Sequence, residues 1–118
     1  MNEQDWLDTF SPAIDTMNPD NVLNFLSEGC IFQAGNLPPI RDKEEIRKVF
    51  VDLYDRIHSI KHTLEDRIVL KDKAVYRGRV HYVRNDGSEL DVPFCDVFRI
   101  RNQQIVEYLI YIDWHELY

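Results

Sequence analysis

The stretch Leu90-Asp-Val-Pro-Phe-Cys-Asp-Val-Phe-Arg-Ile100 places Leu90, Val92, Phe94, Asp96, Phe98 and Ile100 at alternate positions. Successive side chains of a β-strand point to opposite sides of the sheet, so these six share one face. Five of them are apolar, and such a row must be covered by the rest of the chain. Asp96 stands in its middle. A carboxylate there needs a partner or must keep its proton, because an unpaired buried charge is strongly unfavourable.

From about residue 58 the whole chain reads with period two. Strands are expected over residues 60–70, 74–84, 89–101 and 105–113. Asp86-Gly87 favours a two-residue type I′ hairpin, whose central residues both take positive φ. With that pair at the tip, Asn85 faces Ser88, Val83 faces Leu90, His81 faces Val92, Arg79 faces Phe94 and Arg77 faces Asp96. Arg77, Arg79 and His81 then share the face of Asp96. The opposite face carries Tyr76, Val80 and Tyr82 beside Pro93, Cys95 and Val97.

The first half has helical spacing. Trp6, Phe10, Ile14 and Met17 form one stripe, with Pro12 predicting a kink or break. Asn18-Pro19 restarts a second helix with Val22, Phe25 and Leu26 inward, ended by Gly29. Cys30–Ala34 reads as a short strand and Gly35–Ile40 as a loop. Asp42 caps a third helix, with Glu44 and Glu45 favourable against its dipole and Ile46, Val49, Phe50, Leu53, Tyr54 and Ile57 buried. The expected fold class is α+β, a single domain over residues 1–118. Three N-terminal helices are wrapped by a cone-shaped, curved antiparallel sheet, with a cavity on one side and a homodimer contact on the other.

Composition narrows the function. A net charge of −7, from 14 basic and 21 acidic residues, argues against tracking nucleic-acid phosphates. No run approaches the apolar length of a membrane span, and Met-Asn-Glu-Gln-Asp-Trp has no secretory pattern. Cys30 and Cys95 have neither metal-ligand spacing nor a CxxC unit, so they read as small buried hydrophobes. His58 and His62 stand four apart without a third ligand. The expectation is a cytoplasmic protein that takes a small molecule and uses neither metal nor cofactor.

Gly35-x-x-Pro-Pro-Ile-Arg41, Glu44-Glu-Ile-Arg47, Asp96-Val-Phe-Arg-Ile-Arg101 and Tyr111-Ile-Asp113, in this order, resemble the SnoaL-like branch of the nuclear transport factor 2-like superfamily. The resemblance implies the conical α+β fold. It also implies either a small-molecule enzyme, an isomerase, cyclase or lyase moving protons on a carbonyl or carboxylate compound, or a non-catalytic module for ligand binding or dimerisation. Asp96 is similar in place to the oxyanion-hole aspartate of ketosteroid isomerases. The positions of their base and tyrosine hold Gln33 or Ala34 and Thr9 or Phe10. Arg79 resembles the arginine of limonene epoxide hydrolases, whose two catalytic aspartates fall on His81 and Ile110.

The candidate site therefore comprises His81 and Asp96 as catalytic groups, with Gln33, Arg79, Phe94, Tyr108 and Ile110 binding substrate. His81 titrates near neutrality and suits a general base. Asp96 donates a hydrogen bond if protonated or orients His81 if ionised. Arg79 meets an anionic group, and Tyr108 orients a carbonyl or hydroxyl. In the competing structural reading, Arg77 neutralises Asp96 across the strands. Trp114 and Tyr118 are expected as aromatic packing near the cavity mouth or subunit interface, Tyr54 as core and Asp113 as a strand-end cap.

Overall fold

The computed structural model describes residues 2–118, apart from the side chain of Glu3. Its helical segments are α1 (Glu3–Leu7), α2 (Phe10–Asp15), α3 (Pro19–Leu23) and α4 (Lys43–Asp55). The strands are β1 (Leu26–Ala34), β2 (Ile57–Val69), β3 (Lys73–Arg84), β4 (Glu89–Ile100) and β5 (Ile105–Ile112). They form one sheet in the order β1-β5-β4-β3-β2, with the helices against its concave face. The α+β class and the four long strands agree with the reading of the sequence.

The sheet is not wholly antiparallel. β2 to β5 make an antiparallel meander, but β1 lies parallel to β5. Everything from α4 to β4 intervenes between these two strands, a crossover long enough for parallel pairing. The first helix divides at Asp8-Thr9, upstream of Pro12. In an unbroken helix its ring would clash with the carbonyl four residues back, that of Asp8, whereas in the first turn of α2 it is accommodated. Asn18 and Asp42 cap as expected, accepting from the backbone N–H of Asp20 (3.0 Å) and Glu44 (2.8 Å). α3 is shorter than its apolar pattern suggests. Leu26 leaves the helix to pair with Ile105, and Gly29, at φ +74°, serves an irregularity in β1 instead of a helix end.

A chain of rings fastens helices to sheet. Phe98 and Tyr108, on neighbouring strands, stack at 5.3 Å, and Phe10 of α2 meets both rings edge-on at 5.7 and 5.1 Å. Phe32 links Tyr108 to Phe50 of α4. Such geometries add to the area term of aromatic burial. The hydroxyl of Tyr54 donates to the carbonyl of Ile14 at 2.7 Å, tying α4 to α2.

The β3–β4 hairpin departs from the expected register by one residue. Gly87 N–H donates to the Arg84 carbonyl (2.9 Å), and Arg84 N–H to the Ser88 carbonyl (2.7 Å). Asn85, Asp86 and Gly87 thus form a three-residue loop in which only Gly87 has positive φ (+89°). This is a type I turn with a glycine bulge, steadied by the Asp86 carboxylate, which accepts from Ser88 N–H at 2.9 Å. The two-residue turn with both central φ positive joins β4 to β5 instead, at Asn102 (52°) and Gln103 (53°). In β3–β4, Tyr76 faces Asp96, Gly78 faces Phe94, Val80 faces Val92 and Tyr82 faces Leu90. A one-residue slip exchanges the faces of a strand. Tyr76, Val80 and Tyr82 therefore share the inner face with Asp96, and Arg77, Arg79 and His81 point outward.

The bend that lets β2 and β3 close over the helices has a marker at Gly78. A Cβ there would lie 2.0 Å from the Thr63 carbonyl oxygen, beside the bulge between Leu64 and Asp66. Backbone is what it would strike, so no side-chain rotation relieves the clash. Gly78→Ala is expected to destabilise the protein by about 2–3 kcal/mol. Gly87→Ala, whose Cβ meets nothing, should cost only about 1 kcal/mol for its backbone conformation. Urea unfolding of the two variants measures the difference, and equal losses would contradict the close approach.

Candidate active site

Asp96 is 2% exposed, its Oδ1 has no hydrogen-bond partner, and burial raises its pKa well above the usual carboxylate range. Burial thus favours the neutral, protonated form of the acid. Arg77 does not neutralise it. The guanidinium lies on the outer face, donating to Asp66 at 2.7 Å and to Glu65 at 3.4 Å. That observation removes the structural Arg77–Asp96 pair.

Asp96 lines a small internal cavity with Phe94, Tyr108 and Ile110, so four of the expected site residues do meet. Gln33, Arg79 and His81 do not join them. Gln33 faces outward from β1 and donates to the Leu37 carbonyl (3.1 Å), holding the following turn. Arg79 donates to Asp91 at 2.7 Å, and His81 Nε2 lies 2.7 Å from Glu89, which raises the histidine's pKa. His81 and Asp96 thus stand on opposite sides of the sheet. The inferred turn length misplaced the basic row, and the one-residue register correction accounts for both Arg79 and His81.

The place expected for His81 is taken by His62, from β2. Its Nδ1 lies 2.6 Å from Asp15 Oδ1, and its backbone N–H donates to Asp15 Oδ2 at 2.9 Å. Both carboxylate oxygens at the end of α2 are thus committed to one residue. With Nδ1 carrying the proton, Nε2 is the free acceptor. The ring packs edge-on to Phe94 at 5.3 Å and is only 8% exposed. Asp15 and His62 are 47 positions apart, so no local spacing announces the pair. His58, four residues before His62, is exposed.

Tyr82 and Trp114 complete the polar lining. Tyr82 accepts a hydrogen bond from the Trp114 indole at 2.8 Å. Tyr108, buried next to Asp96, has its pKa raised well above normal, first by desolvation and then by Asp96. The free volume is about 20 Å³, room for one water-sized group. The ligand-sized hollow expected from the sequence is nearly filled by aromatic side chains. Asp113 caps the turn after β5, accepting from His115 N–H at 2.9 Å.

The SnoaL-like domain family model matches residues 5–108, and the chain belongs to that family. Its fold is that of solved NTF2-like structures. A protein of unknown function from Burkholderia pseudomallei superposes with a TM-score of 0.86 at 14% identity, over 99% of this chain and 95% of that one. A SnoaL-like polyketide cyclase, so described, from Jannaschia sp. gives 0.82 at 14% identity, over 98% and 88%. An LEH-like epoxide hydrolase from M. tuberculosis gives 0.80 at 12%, over 98% and 85%. A search of curated proteins gives no significant match. No helix among the described residues is long and apolar enough to cross a membrane.

The buried acid has a consequence for stability. Its folded pKa is raised above the unfolded value near ~3.9. Between the two values the folded state holds a proton that the unfolded state has lost, so stability falls as pH rises through that window. Asp96→Asn lacks this slope. Its stability relative to wild type should climb by about 1.4 kcal/mol per pH unit above roughly pH 4, until the folded pKa is passed. Urea midpoints from pH 4 to 9 measure the gap, and a constant difference would mean that Asp96 is ionised and paired.

Proposed function

We propose that the interior is an acid–base site for a small, partly apolar carbonyl compound, in which His62 moves a proton and Asp96 steadies the oxygen. One observation carries this reading: a buried acid with an unpartnered oxygen faces the same cavity as a histidine that Asp15 holds by its other nitrogen. An unsatisfied buried carboxyl is unfavourable for folding, and groups retained at such a cost are candidates for function.

The chemistry follows from the atoms. His62 Nε2 takes a proton from the carbon next to the carbonyl, the C–H electron pair becomes the new C=C bond, and the former C=O π pair moves onto the carbonyl oxygen. The protonated Asp96 donates a hydrogen bond to that oxygen as its charge grows, helped by Tyr108. Asp15 accepts from Nδ1–H and stabilises the imidazolium. Returning the proton to another atom completes an isomerisation, and expelling a leaving group completes an elimination. Family resemblance to a polyketide cyclase and an epoxide hydrolase supports an enzyme on this fold without fixing the reaction.

The same reading includes a cytoplasmic homodimer formed through the outer sheet face. That face carries Val75, Pro93, Cys95, Val97 and Leu109, with Tyr111 60% exposed. Ion pairs such as Arg79–Asp91 and Arg77–Asp66 would form its rim. Sedimentation should show a dimer at micromolar concentration, converted to monomer by Val97→Glu with Tyr111→Glu. A monomeric wild type rejects the contact.

The acid–base reading is tested with 1-indanone in deuterated buffer, following loss of its α-proton signal by NMR. Wild type should accelerate exchange over buffer. His62→Asn should lose about 10²-fold of that rate, and Asp96→Leu, which keeps the row apolar, at least tenfold. Exchange at the buffer rate with wild type, or unchanged in both variants, sinks the proposal.

A further inference from the structure

The interior holds about 20 Å³, too little for any carbonyl substrate, yet it shares lining residues with a far larger space. Trp114 lines the cavity and also a second, mostly apolar pocket of about 330 Å³, bounded by Ala34, Gly35, Leu37 and Tyr118. Ile112 borders both as well. Trp114 and Ile112 thus stand between the two spaces, the indole being the larger of the two. Joined, the two spaces reach the size at which pockets enclose most of a small ligand.

The partition is held by few bonds. Trp114 stacks on Tyr118 at 5.7 Å, and the Arg56 guanidinium lies over the Tyr118 ring at 4.0 Å. Arg84 donates to the Glu116 carbonyl at 3.1 Å, and Leu117 is buried. Inside the cavity the single polar attachment is the bond from the indole N–H to Tyr82. Tyr82 is the acceptor there, so its own O–H has no described partner. Residues 113–118 belong to no strand or helix, with a turn at 115–117, and such segments generally open at less cost than a sheet.

We propose that Trp114 is a displaceable plug: the indole occupies the place of a planar, mostly apolar ring compound with one hydrogen-bonding edge, and binding moves residues 113–118 off the mouth. The occupant is defined by what it replaces. The indole lines the cavity together with Ile112 and already spends its polar edge on Tyr82. A ring bearing a carbonyl or hydroxyl at that edge takes the Tyr82 hydroxyl as donor or acceptor and brings the neighbouring carbon toward His62 and Asp96. The protein binds with an affinity reduced by the fraction of molecules in which the plug is already open. This inference rests on the acid–base reading for the identity of the site, but its geometry concerns access alone.

The test uses 2-naphthol and wild-type protein labelled with 5-fluorotryptophan, its two ¹⁹F resonances assigned with Trp6→Phe. On addition of 2-naphthol the Trp114 resonance should move toward that of free fluorotryptophan and gain a larger solvent isotope shift, with Trp6 unchanged. Trp114→Ala should bind 2-naphthol at least tenfold more tightly than wild type, since no indole need be displaced. Bound 2-naphthol with an unmoved Trp114 resonance overturns the plug, as does failure of wild type to bind up to the solubility limit. The two readings separate cleanly. Accelerated 1-indanone exchange with a fixed Trp114 defeats only the plug, and a displaced Trp114 without exchange defeats only the acid–base chemistry.

Discussion

The pairing of β3 with β4 decides which half of each strand is core. Closure at Arg84 and Ser88 sets Tyr76 against Asp96 and Val80 against Val92, and from there the alternation is forced along both strands. The inner row this produces meets the helices through Phe10, Phe98 and Tyr108. Arg77, Arg79 and His81 become an outer row neutralised by Asp66, Asp91 and Glu89. Had the turn held one residue fewer, three basic groups would lie under the helices and three large apolar ones in water. The burial of Tyr76, Val80 and Tyr82 makes that alternative untenable.

Within this frame Asp96 is an exception that the fold tolerates. A core carboxyl without a hydrogen-bond partner weakens the protein, and an apolar residue of similar size would not. Nearby, Asp15 commits both of its oxygens to His62, which places the imidazole against the same cavity. The two acids have opposite surroundings. Asp15 touches solvent and a histidine, whereas Asp96 lies in the core beside Phe94, Tyr108 and Ile110.

Much of the fold was legible because the relevant signals are local. The period of two located β2 to β5 within a few residues, and Asn18 and Asp42 announced their helices through their own side chains. Asp96 and Phe94 share strand parity, and the resemblance to limonene epoxide hydrolases implies the same inward face for Tyr108 and Ile110; all four line one cavity. The errors also have physical causes. Asp86-Gly87 suits either a two-residue turn or a three-residue loop with glycine in the bulge, and the choice exchanges the faces of β3. Gln33 entered the site through its likeness in position to the ketosteroid isomerase base, but β1 turns Phe32 and Ala34 inward and leaves Gln33 outside. Phe25 and Leu26 have helical spacing, but pairing with β5 outweighed it.

The sequence by itself determined the element types, the single apolar strand face and the presence of an acid within it, because periodicity and capping act over a few residues. Only the tertiary structure decided the sense of β1 against β5, the hairpin register and the partnership of His62 with Asp15. Those depend on contacts between residues far apart in the chain, and a shift of one position, invisible in local pattern, is enough to move a histidine from the core to the surface.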